Sequence, residues 1–150
     1  MAKILIVEDN ALNIKLFCDL LEAHGHETEA VLDSRQALET ALAFAPELII
    51  TDIQLPHISG LELIRLFRAD EDLREVPIMA VTAYSTSGDE DRARGEGAMA
   101  YVAKPISVSR FVQTVEELLE QSGHAQKESG SELEAAPDQP GEAGSATRAD

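Results

Sequence analysis

Five polar residues stand at the ends of four short apolar runs, and their types could together do phosphoryl chemistry. Glu8 and Asp9 follow Ile4-Leu5-Ile6-Val7, and Asp52 follows Leu48-Ile49-Ile50-Thr51. Thr82 follows Ile78-Met79-Ala80-Val81, and Lys104 follows Ala100-Tyr101-Val102-Ala103. Taken alone, Asp9-Asn10 reads as a helix cap, Asp52 as a loop acid and Lys104 as a solvated surface lysine. Convergence changes that reading. If the four runs are parallel strands, all five residues gather on one rim of one sheet. Three carboxylates held together raise each other's pKa values unless a cation sits among them. A site of carboxylate oxygens without His or Cys selects Mg²⁺ over zinc. Mg²⁺ and Lys104 would neutralise the oxygens of an anionic phosphoryl group approaching Asp52, and Thr82 could donate a hydrogen bond to one of them. The product would be an aspartyl phosphate on Asp52. Pro105 follows Lys104 directly and restricts its backbone.

The elements that must position these residues alternate five times. A strand over about 3–7 precedes a helix capped by Asn10 and running to about His24, with Leu16, Phe17, Leu20 and Leu21 inward, stopped at Gly25. A short strand near Glu27–Val31 leads to a helix from Ser34 to Ala45, with Ala37, Leu38, Ala41 and Leu42 inward, ended by Pro46. The strands at 48–52 and 78–82 are apolar on both faces, as in a parallel sheet covered on both sides. A third helix carries Leu61, Ile64, Leu66 and Phe67. A fourth, near Asp89–Glu96, is weakly apolar and flanked by Gly88, Gly95 and Gly97. The last, Val108–Glu120, carries Phe111, Val112, Val115, Leu118 and Leu119. The expected fold is α/β: a doubly wound, five-stranded parallel sheet of (βα)5 form. Right-handed crossovers put every carboxyl end on one edge, and ligands bind where strand order reverses. With order 2-1-3-4-5 that point lies between the first and third strands, which carry Glu8, Asp9 and Asp52.

The 150 residues suffice for one domain, expected over residues 1–121. Residues 122–150 read as an acidic tail rich in Gly, Pro and Ser. Its only large apolar residue is Leu133, so it is expected to be disordered. The net charge of −16 argues against nucleic acid and against docking to anionic membranes. No run of eighteen apolar residues and no signal peptide are present, and Cys18 is the single cysteine, so a reducing, cytoplasmic location is expected.

The set Val7-Glu8-Asp9-Asn10, Asp52-Ile53-Gln54-Leu55-Pro56, Thr82-Ala83 and Lys104-Pro105-Ile106 resembles the receiver domain of bacterial two-component response regulators. The strings Lys15-Leu16-Phe17, Asp19-Leu20-Leu21-Glu22-Ala23, Ile58-Ser59-Gly60-Leu61-Glu62 and Lys104-Pro105-Ile106-Ser107-Val108 are similar to single-domain receivers of cell-cycle phosphorelays. The order 2-1-3-4-5 is that of receivers, so the resemblance carries it as well. The resemblance covers about 1–120 and implies a role for each site residue. Asp52 accepts the phosphoryl group. Asp9, Asp52 and the Gln54 carbonyl hold Mg²⁺, and Glu8 acts through a water. Thr82 and Lys104 bind the phosphoryl group beside Ala83, and Tyr101 is the switch aromatic. The resemblance also implies a cis Lys104–Pro105 bond. Gln54 and Tyr84 lie on the water path and, not being carboxylates, imply modest self-dephosphorylation. Glu8 stands where Asp is commoner, and the tail lies outside the pattern. Implied partners are histidine kinases or a histidine phosphotransferase and a downstream protein, with the chain a monomer or a phosphorylation-dependent dimer controlling cell cycle or polarity.

Such a domain would signal, catalysing only its own phosphorylation and slow dephosphorylation. Three alternatives stand beside it. A phosphatase of the haloacid dehalogenase type would need an acid two positions after the nucleophile, where Gln54 stands. A flavodoxin would need a Gly- and hydroxyl-rich loop where Glu8-Asp9-Asn10 stands. A degenerate receiver would serve only as an interaction scaffold.

Overall fold

The computed structural model describes residues 2–82, 87–104 and 106–131. Five strands form one parallel sheet in the order β2-β1-β3-β4-β5. They are β1 (Lys3–Val7), β2 (Glu27–Val31), β3 (Leu48–Asp52), β4 (Ile78–Thr82) and β5 (Ala100–Ala103). The helices are α1 (Ala11–Ala23), α2 (Ala37–Phe44), α3 (Gly60–Ala69), α4 (Ser87–Glu96) and α5 (Val108–Ser131).

Period-two side-chain alternation along the strands builds two cores. Leu5, Val7, Ile49, Ile78 and Ala80 pack with Ala37 and Ala41 of α2 and Leu63, Ile64 and Phe67 of α3. Ile4, Ile6, Leu48, Ile50, Met79 and Val81 pack on the other face with Phe17 and Leu21 of α1 and Phe111, Val115 and Leu118 of α5. The Phe17 and Phe111 rings stack there with centroids 5.0 Å apart. Both central strands are therefore buried on each face, as their unbroken apolar sequences require.

Asn10 caps α1 as expected, its side chain accepting from the amides of Leu12 (2.9 Å) and Asn13 (3.1 Å). Other expectations change. Leu16 and Leu42, read as inward, are exposed, and so is Leu66 of the third helix. Leu63 of that helix is buried instead. The helix expected from Ser34 to Ala45 divides into a 3-10 turn over Ser34–Gln36, capped by the Asp33 carboxylate accepting from the Arg35 amide, and α2 from Ala37 to Phe44. Finally, α5 continues past Glu120, where the apolar spacing predicts its end, to Ser131. Of the described residues, those up to Leu119 form one compact unit, and those from Glu120 on fall outside it. The remaining expectation of a disordered tail, over 132–150, lies outside the described residues.

Candidate functional site

Parallel strands carry the chemistry to one edge. The end of β1 delivers Glu8 and Asp9, and the Glu8 amide donates to the Val31 carbonyl of β2 (3.1 Å). Asp52 ends β3 and is paired in register with Val81 of β4. Thr82 ends β4 opposite Ala103 of β5, and the Lys104 amide donates to the Thr82 carbonyl (2.7 Å). Glu8, Asp52 and Thr82 are buried, and Asp9 is exposed.

Lys104 is the hub of this edge. Its Nζ donates to Asp52 Oδ2 at 2.8 Å and to Glu8 Oε1 at 3.0 Å. The other oxygen of each carboxylate is held by backbone: Asp52 Oδ1 accepts from the Gln54 amide (2.9 Å), and Glu8 Oε2 from the Asn10 amide (3.2 Å). Two buried carboxylates thus share one ammonium and each engages a local amide, which offsets the cost of removing them from water. Burial pushes the Glu8 carboxyl above its ordinary value. The Lys104 bond opposes that, and the Asp52 charge adds to it. Burial pulls Lys104 down, but its bonds to Asp52 and Glu8 outweigh burial and leave its pKa raised.

A cation fits beside this pair. One carboxylate oxygen from each of Glu8, Asp9 and Asp52 lies within 4.8 Å of the others. The donor set is oxygen only, and Lys104 supplies one positive charge against three carboxylates, which leaves a net negative pocket suited to a hard divalent ion.

Comparison with known proteins agrees with this geometry. Residues 4–116 match the response regulator receiver domain family. The chain belongs to that family. It is 50% identical over 116 residues to the polar-differentiation response regulator DivK of Brucella ovis, covering 77% of this chain and 94% of that protein. Among solved structures, the chemotaxis protein CheY4 of Vibrio cholerae matches with a TM-score of 0.75 at 25% identity, over 79% of this chain and 98% of that one. The receiver domain of the sensor histidine kinase PA1611 of Pseudomonas aeruginosa, solved with a magnesium ion coordinated in its active-site cleft, matches with a TM-score of 0.73 at 31% identity over the same shares. The receiver family also sets aside the dehalogenase-type and flavodoxin alternatives.

The receiver edge brings together Glu8, Asp9, Asp52, Gln54, Thr82 and Lys104. Tyr101, the expected switch aromatic, is half-buried and packs against the α3-side core. Its hydroxyl is buried and has no hydrogen-bond partner among the described residues. Ala83, Tyr84 and Pro105, and with Pro105 the expected cis bond, lie outside the described residues.

Sequence reading missed three supports of this edge. Gly60, the first residue of α3, lies so close to β3 that an ideal Cβ there would stand 2.0 Å from the Asp52 carbonyl oxygen. Arg68 of α3 donates to the carbonyls of Gly97, Arg74 and Val76, tying the turn after α4 to the segment before β4. Ser34 is buried against the loop after Asp52. For Gly60 a signal existed, because glycine opens a helix whose other residues favour one. No local pattern marks Ser34 or Arg68.

Proposed function

We propose that Asp52 is the phosphoacceptor of this receiver and that Glu8, Asp9, Asp52 and the Gln54 carbonyl hold Mg²⁺. The observation that carries the reading is the single Lys104 ammonium shared between Asp52 and Glu8. An Asp52 carboxylate oxygen attacks the phosphorus of a phosphohistidine, forming an acyl–phosphate bond as the P–N bond breaks. The electron pair of the broken bond stays on the released nitrogen, and the imidazole leaves neutral because its other ring nitrogen already carries a proton. Lys104 exchanges a carboxylate oxygen for a phosphoryl oxygen, so its charge stays compensated throughout. Thr82, level with Lys104 on the neighbouring strand, donates its hydroxyl to another phosphoryl oxygen. When bound, Mg²⁺ supplies the further positive charge that lets an anionic phosphoryl group approach a carboxylate.

The output is a change of protein contacts. The new acceptor oxygens bias Thr82, and through it α4 and Tyr101, toward a second arrangement. By likeness to the polar-differentiation regulators, the partners are histidine kinases or a histidine phosphotransferase and a downstream protein, in the control of cell cycle or polarity. The chain turns over no phosphate esters, and with Gln54 in place of a second acid it loses its own phosphate slowly. Among the described residues no helix is long and apolar enough to cross a membrane.

Intact-mass spectrometry after incubation with acetyl phosphate tests the reading. One Mg²⁺-dependent phosphoryl addition is expected in wild type and none in Asp52→Asn. Addition that survives in Asp52→Asn would place the acceptor elsewhere.

A further inference from the structure

The loop that carries Gln54 from Asp52 to α3 is held in a backbone form that its own residues do not favour. His57 has φ of 71°, in the left-handed region that glycine enters freely and that a side chain bearing Cβ resists. Among the described residues, the only other side-chain-bearing residue there is Ala45, the C-cap of α2. What holds His57 in this form comes from elsewhere in the chain. The buried Ser34 hydroxyl donates to the Pro56 carbonyl at 2.7 Å and accepts from the Ile58 amide at 3.0 Å. Both of its hydrogen bonds are therefore made to the two residues that flank His57.

Ser34 is itself set rigidly. The Asp33 carboxylate accepts from the Arg35 amide (2.9 Å) and from its guanidinium (3.0 and 2.8 Å), fixing the 3-10 turn that Ser34 opens. Beyond the Ile53 amide's bond to the Val81 carbonyl (3.0 Å), the loop is tied at the site itself. The Gly60 amide donates to the Ile53 carbonyl (2.8 Å), and the Gln54 amide to Asp52 Oδ1 (2.9 Å). The second of these orients the carboxylate so that Oδ2 faces Lys104. Slack at Pro56–Ile58 reaches Gln54 two residues away, and through it both the Asp52 orientation and the Gln54 carbonyl.

We infer that Ser34 is a positioning residue for the phosphoryl-accepting site, its hydroxyl clamping the left-handed turn at His57 so that Gln54 and Asp52 keep the geometry that receives Mg²⁺. This rests on the assignment of Asp52 and Gln54 above. It makes the clamp and the strain two halves of one device: removing the clamp loosens the site, and removing the strain makes the clamp dispensable. A merely structural serine would lower stability without changing the Mg²⁺ requirement.

The test tracks Mg²⁺ through its effect on the urea midpoint, a binding readout independent of phosphorylation. It also tracks the Mg²⁺ dependence of acetyl phosphate labelling. Ser34→Ala is expected to need about three- to tenfold more Mg²⁺ for half-effect, the range for the net worth of one hydrogen bond. The labelling rate at saturating Mg²⁺ should fall less. His57→Gly alone should bind Mg²⁺ at least as well as wild type, and Ser34→Ala with His57→Gly should return to within about twofold of wild type. A wild-type Mg²⁺ requirement in Ser34→Ala overturns the inference, as does a double variant no better than Ser34→Ala. Failure of the phosphoacceptor assignment looks different, because wild type itself would then show neither Mg²⁺ stabilisation nor labelling.

Discussion

Replacing Gly60 with alanine should damage both stability and chemistry, although helix propensity alone predicts a gain. Gly60 opens α3, where alanine would be favoured by about 0.5–1 kcal/mol. Its φ is not positive, so it is not kept for backbone freedom. Space is the reason. An ideal Cβ would lie 2.0 Å from the Asp52 carbonyl oxygen, 2.5 Å from Ile53 Cα and 2.8 Å from the Asp52 carbonyl carbon. All three are backbone atoms, so no side chain can swing aside. Restoring an allowed contact moves α3 and the end of β3 apart by about 1 Å. Overpacking of this kind costs about 1–3 kcal/mol, and lengthening the Gly60–Ile53 hydrogen bond adds about 1 kcal/mol. Set against the propensity gain, Gly60→Ala should lose about 1–3.5 kcal/mol in urea unfolding. The displaced backbone is that of Asp52, so labelling by acetyl phosphate at saturating Mg²⁺, measured by intact mass, should slow by about tenfold or more. A variant as stable as wild type and labelled at the same rate would refute the close-approach argument.

Three other substitutions probe the supports of the site. The raised pKa of Glu8 means that the folded state favours its protonated form, so its contribution is present in acid and lost as pH rises through the folded value. Glu8→Gln should therefore raise the urea midpoint of the Mg²⁺-free protein at neutral pH, a gain that shrinks toward about pH 4. A lower midpoint at neutral pH would contradict the burial cost. Arg68→Met leaves the Gly97, Arg74 and Val76 carbonyls without their charged donor and should destabilise by about 2–4 kcal/mol, read by thermal or urea unfolding. A change under about 0.5 kcal/mol would mean that water replaces the guanidinium at no cost. Tyr101→Phe removes a buried hydroxyl that has no partner among the described residues and should be neutral or stabilise by about 1 kcal/mol, while Tyr101→Ala should keep labelling but weaken binding of the phosphorylated protein to its partner. Clear destabilisation of Tyr101→Phe would show that the hydroxyl has a partner.

The dependence of α4 on Arg68 bears on how a signal would leave the site. Ala93 is the only aliphatic residue of α4, and it is fully buried. The helix has no apolar stripe to hold it along its length. Its carboxyl end is instead tied to α3, by Arg65 to Glu96 (3.1 and 2.9 Å) and by Arg68 to the Gly97 carbonyl. A Cβ at Gly97 would stand 2.7 Å from the Arg68 side chain, which shows how closely that tie is made.

The strands and the acids at their ends were legible in the sequence because both are local. A run such as Leu48-Ile49-Ile50, alternating with helical patterns, fits a strand buried on both faces of a covered parallel sheet, and parallel strands bring the residues after their carboxyl ends to one edge. The Asn10 cap was legible for the same reason, since its partners lie two and three residues away. Helix faces were legible only in part. Periodicity marks Leu16, Leu42 and Leu66 as apolar neighbours of core residues, but how each helix is rolled against the sheet is set by packing, and all three face out. The support of the site was decided by tertiary structure alone. Lys104 reaches Glu8 across 96 residues of chain and Asp52 across 52, and Ser34 reaches Ile58 across 24. No local preference selects such partners. They meet because strand order and crossover handedness fix where the ends of distant strands stand, and Gly60 is held to its size by the backbone it meets there.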